Sequence, residues 1–278
     1  MSADFSSPIG LLAGSGRFPV VFAERARALG IAVVCVGIRQ EAPPELAGLV
    51  QRFYWSGVAR MGRMIRCFKR EKVVRVMMAG KIRKGVMHTP WRIFNLLPDM
   101  RTIRFWYRRR RDNRDDTLLL GLIEEFAMEG LRFGSALELC PDLLVPAGVL
   151  TRRPPSTREE RDIGFGWELA KEMGRLDVGQ SVAVKERAVL AVEAIEGTDR
   201  AIARAGEFCR AGGFVVVKVA KPQQDMRFDV PTVGGSTIET MRQAGGRVLA
   251  LEAGKTIILD QDRTVELADR YGITIVAR

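Results

Sequence analysis

Five charged side chains stand within twelve residues in the stretch 215–235, VVVKVAKPQQDMRFDVPTVGG: Lys218, Lys221, Asp225, Arg227 and Asp229. Hard divalent cations take carboxylate oxygens, whereas lysine and arginine answer phosphate oxygens, so this set supplies what a metal-assisted phosphate site needs. The stretch opens as an apolar strand, and Lys221-Pro222 followed by Gln-Gln-Asp ends it. Lys218 is the one charge in that strand, and a lysine in a buried strand needs a partner or a ligand. By charge and position, Lys218 and Lys221 are candidate catalytic cations. Asp225 and Asp229 are candidate metal ligands, and Arg227 and Thr232 are candidate substrate contacts. A solvated loop of compensating charges is the other reading of the same residues.

The strand that carries this loop is one of a series. Ile9 to Gly14 reads as a short apolar strand, Phe18 to Leu29 as a helix and Ile31 to Ile38 as the next strand. Gly14, Ser15 and Gly16 therefore lie where a backbone can approach a phosphate at a helix N-terminus. As a dinucleotide fingerprint the turn is incomplete: Pro19 takes the third glycine position, and the second strand ends in Arg39-Gln40 rather than an acidic residue. Further strands are expected at Phe53–Ser56 and Val73–Gly80, around a helix whose Met61, Met64, Ile65 and Phe68 share one face. Gly80-Lys81 again puts glycine and a cation at a strand's carboxyl end, where open α/β sheets bind ligands. The alternation predicts an α/β fold with an N-terminal Rossmann-like domain, built on a parallel sheet, over residues 1–133.

Asn113 to Gly130 reads as a helix capped by Asp115 or Asp116, with Leu119, Leu122, Ile123 and Phe126 as its buried stripe. The proline- and arginine-rich run that follows predicts a connection over 134–156 and a C-terminal α/β domain over 157–278. In that domain Thr157-Arg-Glu-Glu opens a helix, and Gln180–Lys185 with Ala188–Ile195 forms a hairpin about Glu186-Arg187. Asp199 is expected to cap a helix beginning at Arg200, and Glu196 of Glu-Gly-Thr-Asp is a further candidate metal ligand. Helices at 236–244 and 262–271 and strands at 248–252, 256–259 and 273–276 complete it.

Composition narrows the chemistry. A net charge of +11 over 278 residues favours acidic partners: nucleic acid, anionic lipid or a phosphorylated substrate. The four cysteines form no C-x-x-C pair, which argues against a zinc site or a disulfide framework and for a reducing cytosol. The single histidine, His88, rules out a multi-histidine metal centre and is read as structural. A metal is then magnesium, or manganese, held by carboxylates and water. A signal peptide and a bilayer-length apolar run are both absent from the sequence. Trp91, Phe94, Phe105, Trp106 and Tyr107 precede Arg108–Arg111, which fits a solvated helix, a nucleic-acid patch or a surface for anionic lipid.

The series IGLLAGSGRFP, AGKIRKG, the Asp115-Asp116 helix start, GQSVAVK, AVEAIEGTD, VKVAKPQQDMRFDVPTVG and LEAGKTIILD runs in order across nearly the whole chain. It resembles the LpxI-type UDP-2,3-diacylglucosamine pyrophosphatases of lipid A biosynthesis. The resemblance implies a cytosolic, magnesium-dependent enzyme, peripheral at the inner membrane, that hydrolyses UDP-2,3-diacylglucosamine to UMP and 2,3-diacylglucosamine 1-phosphate. It also implies a C-terminal domain peculiar to the family, with the lipid between the two domains, and water attack at the β phosphorus. Asp225 of KPQQDMRFD matches the family's catalytic carboxylate, acting as metal ligand or as base. The expected partners are the lipid substrate, the cytoplasmic membrane surface in transient contact, and a second copy in a homodimer; nucleic acid is not among them. Two alternatives stay open at this point: an NADP-binding Rossmann oxidoreductase, with Arg39 on the 2′-phosphate, and a nucleic-acid-binding protein using Phe105–Arg111.

Overall fold

The computed structural model describes residues 7–82, 97–108, 115–227 and 229–278, and the chain divides into two compact units, Met1–Cys140 and Pro141–Arg278. His88, Trp91, Phe94 and Arg109–Arg111 lie outside the described residues.

In the first unit, β1 (Ile9–Ala13), α1 (Phe18–Ala28), β2 (Val33–Ile38), β3 (Arg52–Ser56), α2 (Met61–Arg70) and β4 (Arg75–Ala79) follow in turn. Then come α3 (Met100–Arg108), α4 (Asp115–Ala127) and β5 (Arg132–Gly134). The strands make one parallel sheet in the order β3-β2-β1-β4-β5, the Rossmann-like arrangement that the sequence predicted. β1 and β2 are buried at every residue, because helices cover both faces of such a sheet and the strands then carry apolar side chains on both. Met61, Met64, Ile65 and Phe68 of α2 enter the core as expected. In α4 only Phe126 of the four expected stripe residues is buried; Leu119, Leu122 and Ile123 are half-buried.

The second unit runs β6 (Gly148–Val149), α5 (Thr157–Arg175), β7 (Ser181–Lys185), β8 (Ala188–Val192), α6 (Thr198–Phe208) and β9 (Phe214–Lys218). It continues with β10 (Thr232–Val233), α7 (Gly235–Ala244), β11 (Gly246–Leu251), β12 (Ile257–Ile258), α8 (Gln261–Tyr271) and β13 (Thr274–Ala277). Six strands form a mixed sheet in the order β6-β13-β11-β9-β7-β8, with β13, β11 and β9 parallel at its centre. Val215 and Val217 of β9 pack with Ile163 and Ala170 of α5, while Phe214 and Val216 pack with Ile202 and Ala205 of α6 on the other face. β7 and β8 turn through Glu186 and Arg187, both at positive φ (52° and 60°), the geometry of a tight hairpin.

The stretch 134–156 is divided between the units. Ala136–Glu138 forms a short 3₁₀ turn in the first, whereas Val145 joins the core of the second and β6 pairs antiparallel with β13. α5 is capped by Ser156, whose hydroxyl accepts from the Glu159 amide while the Glu159 carboxylate accepts from the Ser156 amide. Asp199 is not a helix cap. Gly197 takes the N-cap position at φ +85°, α6 begins at Thr198, and Asp199 Oδ1 accepts instead from Thr237 Oγ1 at 3.1 Å.

Candidate active site

Lys218 is the last residue of β9, and strand alternation puts its side chain on the α6 face with Phe214 and Val216. It is only 1% exposed, and its Nζ donates to Thr198 Oγ1 at 2.7 Å. The sequence cast it as a cation for phosphate, but here its ammonium lies beneath the surface, against the start of α6.

The loop after β9 carries the other charges. Arg227 grips the Asp225 carboxylate with Nε at 2.9 Å and Nη2 at 2.5 Å, while its own amide donates to Asp225 Oδ1 at 3.0 Å. Those hydrogen bonds hold Asp225 below the usual aspartate range, against a smaller opposing effect of burial. The Asp229 amide donates to the Asp225 carbonyl at 3.1 Å, so the two aspartates stand on one turn. Lys221 Nζ meets Asp177 at 2.6 Å and Asp229 at 3.7 Å. Thr232, at β10, donates to the Val230 carbonyl at 2.9 Å.

A third group braces the loop's origin, and the sequence reading missed it. Glu252, just past β11, accepts from Lys171 at 2.5 Å, from the Ala220 amide at 2.8 Å and from Lys255 at 2.9 Å. Burial pushes this carboxyl up, but the hydrogen bonds from Lys171, Lys255 and Ala220 outweigh it and hold the group below the usual range. The signal was present: like Lys218, Glu252 is a charge closing an apolar strand.

The three expected metal ligands are not gathered into one cluster. Asp225 and Asp229 share the loop, but Glu196 is drawn to Arg204 at 2.9 Å. Among the described residues no three His, Cys, Asp or Glu side chains converge on a common point.

In the first unit, Gly14, Ser15, Gly80 and Lys81 are brought together as one clamp. The Gly14 amide donates to Ala79 O at 2.9 Å, the Ser15 amide and hydroxyl both reach Lys81 O at 2.7 Å, and the Lys81 amide returns to Ser15 O at 3.0 Å. A Cβ on Gly80, which sits at φ +88°, would come within 2.6 Å of Ser15 O, so the clamp requires glycine there. The amides of Gly14 and Ser15, expected for a phosphate, are therefore spent on the neighbouring strand's turn. Gly16, at φ +96°, stays open, and α1 begins behind it with no side-chain cap.

A parallel Rossmann-like unit with a glycine turn at its carboxyl edge, followed by a second α/β unit with a charged loop after its central strand, defines a two-unit α/β protein suited to phosphate chemistry. The LpxI N-terminal domain matches residues 8–143 and the LpxI C-terminal domain residues 146–276. The chain belongs to the LpxI family. It is 31% identical over 281 residues, 96% of each chain, to the UDP-2,3-diacylglucosamine pyrophosphatase LpxI of Caulobacter vibrioides (strain ATCC 19089 / CIP 103742 / CB 15). Among solved structures, the biotin carboxylase subunit of pyruvate carboxylase is similar at 12% identity over 68% of this chain and 38% of that one, with a TM-score of 0.28, too loose a likeness to carry argument.

Proposed function

We propose that this chain hydrolyses the pyrophosphate of UDP-2,3-diacylglucosamine, releasing UMP and 2,3-diacylglucosamine 1-phosphate in lipid A biosynthesis. The observation that carries the reading is Asp225, held by Arg227 on the loop that leaves the buried central strand, in a chain similar along its whole length to an enzyme of that name. A pyrophosphate is shielded by its own charge, so the site must neutralise oxygens and align a water. Arg227 and Lys221 are the loop's cations for the first task, each exchanging a carboxylate partner for a phosphate oxygen.

Magnesium fits this loop. The ion is ordinarily held by one or two carboxylates together with substrate phosphates and water, and Asp225 and Asp229 on one turn offer such donors. When bound, it would neutralise charge on the phosphoryl oxygens. Glu196, paired with Arg204, is left out of the donor set.

Attack at the β phosphorus, with UMP leaving, is carried over from the family resemblance. Hydrolysis in ¹⁸O-labelled water should put the label in 2,3-diacylglucosamine 1-phosphate, read by weighing both products. Label in UMP would reverse the assignment.

Contact with a membrane surface has support in α3. Met100 (80% exposed), Ile103 and Tyr107 (71%) follow one another at helical spacing on the side away from buried Thr102 and Phe105. Arg101 anchors the helix to Glu125 and Glu129 at 3.0 and 2.6 Å, leaving Arg104 and Arg108 exposed beside the apolar residues. Replacing Arg104 and Arg108 with Ala should weaken binding to anionic vesicles roughly thirtyfold, at about 1 kcal/mol per arginine, with turnover of detergent-dispersed substrate unchanged. Unaltered vesicle binding would return α3 to an ordinary solvated helix. Among the described residues no helix is long and apolar enough to cross a membrane.

A further inference from the structure

A buried polar chain ends on Lys218, the last residue of the strand that the Asp225 loop leaves. Lys218 Nζ donates to Thr198 Oγ1 at 2.7 Å, Thr198 Oγ1 donates to Glu193 Oε1 at 3.0 Å, and Ser181 Oγ stands 3.4 Å from the same Thr198 oxygen. All four residues are buried. The direction of the chain is forced, because an ammonium only donates and an ionised carboxylate only accepts; the one threonine proton therefore goes to Glu193 and its lone pair to Lys218. Glu193 Oε2 has no hydrogen-bond partner among the described residues, so Thr198 is the one group bonded to that carboxylate's side-chain oxygens. A carboxylate buried this deeply is costly unless a positive charge compensates it, and Lys218 lies one hydroxyl away.

Lys218 also marks where the loop departs. Its carbonyl accepts from the Glu252 amide at 3.2 Å, and the Glu252 carboxylate takes the Ala220 amide at 2.8 Å. One side of the loop's origin is thus fixed by Glu252 and the other by the chain through Thr198. We propose that Thr198 and Glu193 are positioning residues for the hydrolysis: they hold Lys218, and through it the departure of the 219–231 loop, so that Asp225 and Arg227 meet the phosphates in register. The inference rests on the pyrophosphatase reading above. It also reassigns Lys218, which at 1% exposure acts at the strand end that the loop leaves rather than on a phosphate oxygen.

The test uses the full chain with detergent-dispersed UDP-2,3-diacylglucosamine and three single variants, Thr198→Val, Thr198→Ser and Glu193→Gln, with the Thr198→Val/Glu193→Gln pair. Misplacing reacting groups by about 1 Å costs on the order of a hundredfold, so Thr198→Val should lower kcat by roughly ten- to a hundredfold. KM should stay within about threefold, because ground-state contacts are not removed. Thr198→Ser keeps the hydroxyl and should recover most of the loss. Glu193→Gln keeps an oxygen that accepts from Thr198 but removes the charge that balances Lys218, so it should fall in the same range, and the pair should be no worse than the poorer single variant, since both act on one chain. Should Thr198→Val fail to fold, Glu193→Gln against Thr198→Ser still decides. A kcat within about twofold of wild type for folded Glu193→Gln, or losses that multiply in the pair, would overturn the inference. A wild-type protein that does not turn the substrate over would instead sink the pyrophosphatase reading.

Discussion

Asp225→Ala is expected to lower turnover by roughly 10²- to 10⁴-fold, the range that a lost acid–base or charge-bearing group ordinarily costs, while the protein folds and still binds its substrate. The fold should survive because Asp225 holds the loop and not the core. Its partner Arg227 is 41% exposed on its side chain, and an ion pair that open to solvent contributes about 1 kcal/mol or less. Arg227's hydrogen bonds keep the Asp225 carboxyl below its ordinary range, so whatever stability the pair adds is present above the unfolded aspartate value and is lost as pH falls through the folded one. Wild type and variant should therefore unfold at nearly the same temperature at neutral pH and converge fully in acid. UMP release by the purified variant measures the main effect, and near-normal release would take Asp225 out of the mechanism.

The same hydrogen bonds bear on which role the carboxylate fills. A general base works best with a pKa near the working pH, and Asp225 gripped by Arg227 lies well to the acid side of that. Charge and oxygen donation suit it better than proton uptake. Asp225→Asn, which keeps the shape but surrenders the charge, should accordingly recover no more than about tenfold over Asp225→Ala.

Much of this was legible in the chain itself. The β-turn-α-β opening and the Glu186-Arg187 hairpin follow from local period and turn chemistry, and each appeared where expected. The burial of Lys218 was readable because a single charge stood in an apolar strand. Its destination was not, since Thr198 lies 20 positions away and the packing of α6 on the sheet brings the two together. The pairing of the glycine turn was hidden for the same reason: Ser15 and Lys81 are 66 positions apart, and no local pattern says that a neighbouring strand's turn will take the amides of Gly14 and Ser15. Asp199 was misread for the opposite reason. Gly197 at φ +85° starts the helix two residues early, and a backbone angle that only glycine adopts easily is invisible when the nearest aspartate looks like a cap.

Stripping divalent metal with a chelator should lower turnover sharply, and charge counting in the loop says why. Lys218, Lys221 and Arg227 look from the sequence like three cations waiting for a pyrophosphate. In the structure Arg227 faces Asp225, Lys221 faces Asp177 and Asp229, and Lys218 is buried on Thr198. The loop's positive charge is largely matched by its own carboxylates, so a substrate bringing further negative charge needs further positive charge to meet it. If Asp225 and Asp229 turn to a divalent ion, Arg227 is released to the phosphate oxygens while Lys221 keeps Asp177 as a carboxylate partner, so the two halves of the loop stop cancelling one another. Charge neutralisation by a metal is worth several kcal/mol at a transition state, so a chelator should lower kcat by roughly a hundredfold or more. Adding back magnesium, or manganese, should restore it, whereas calcium, with longer bonds and looser geometry, should restore little. Turnover at full rate in excess EDTA would show that the loop's own cations suffice, and Asp225 would then have to be explained as a base despite the arginine that holds it acidic.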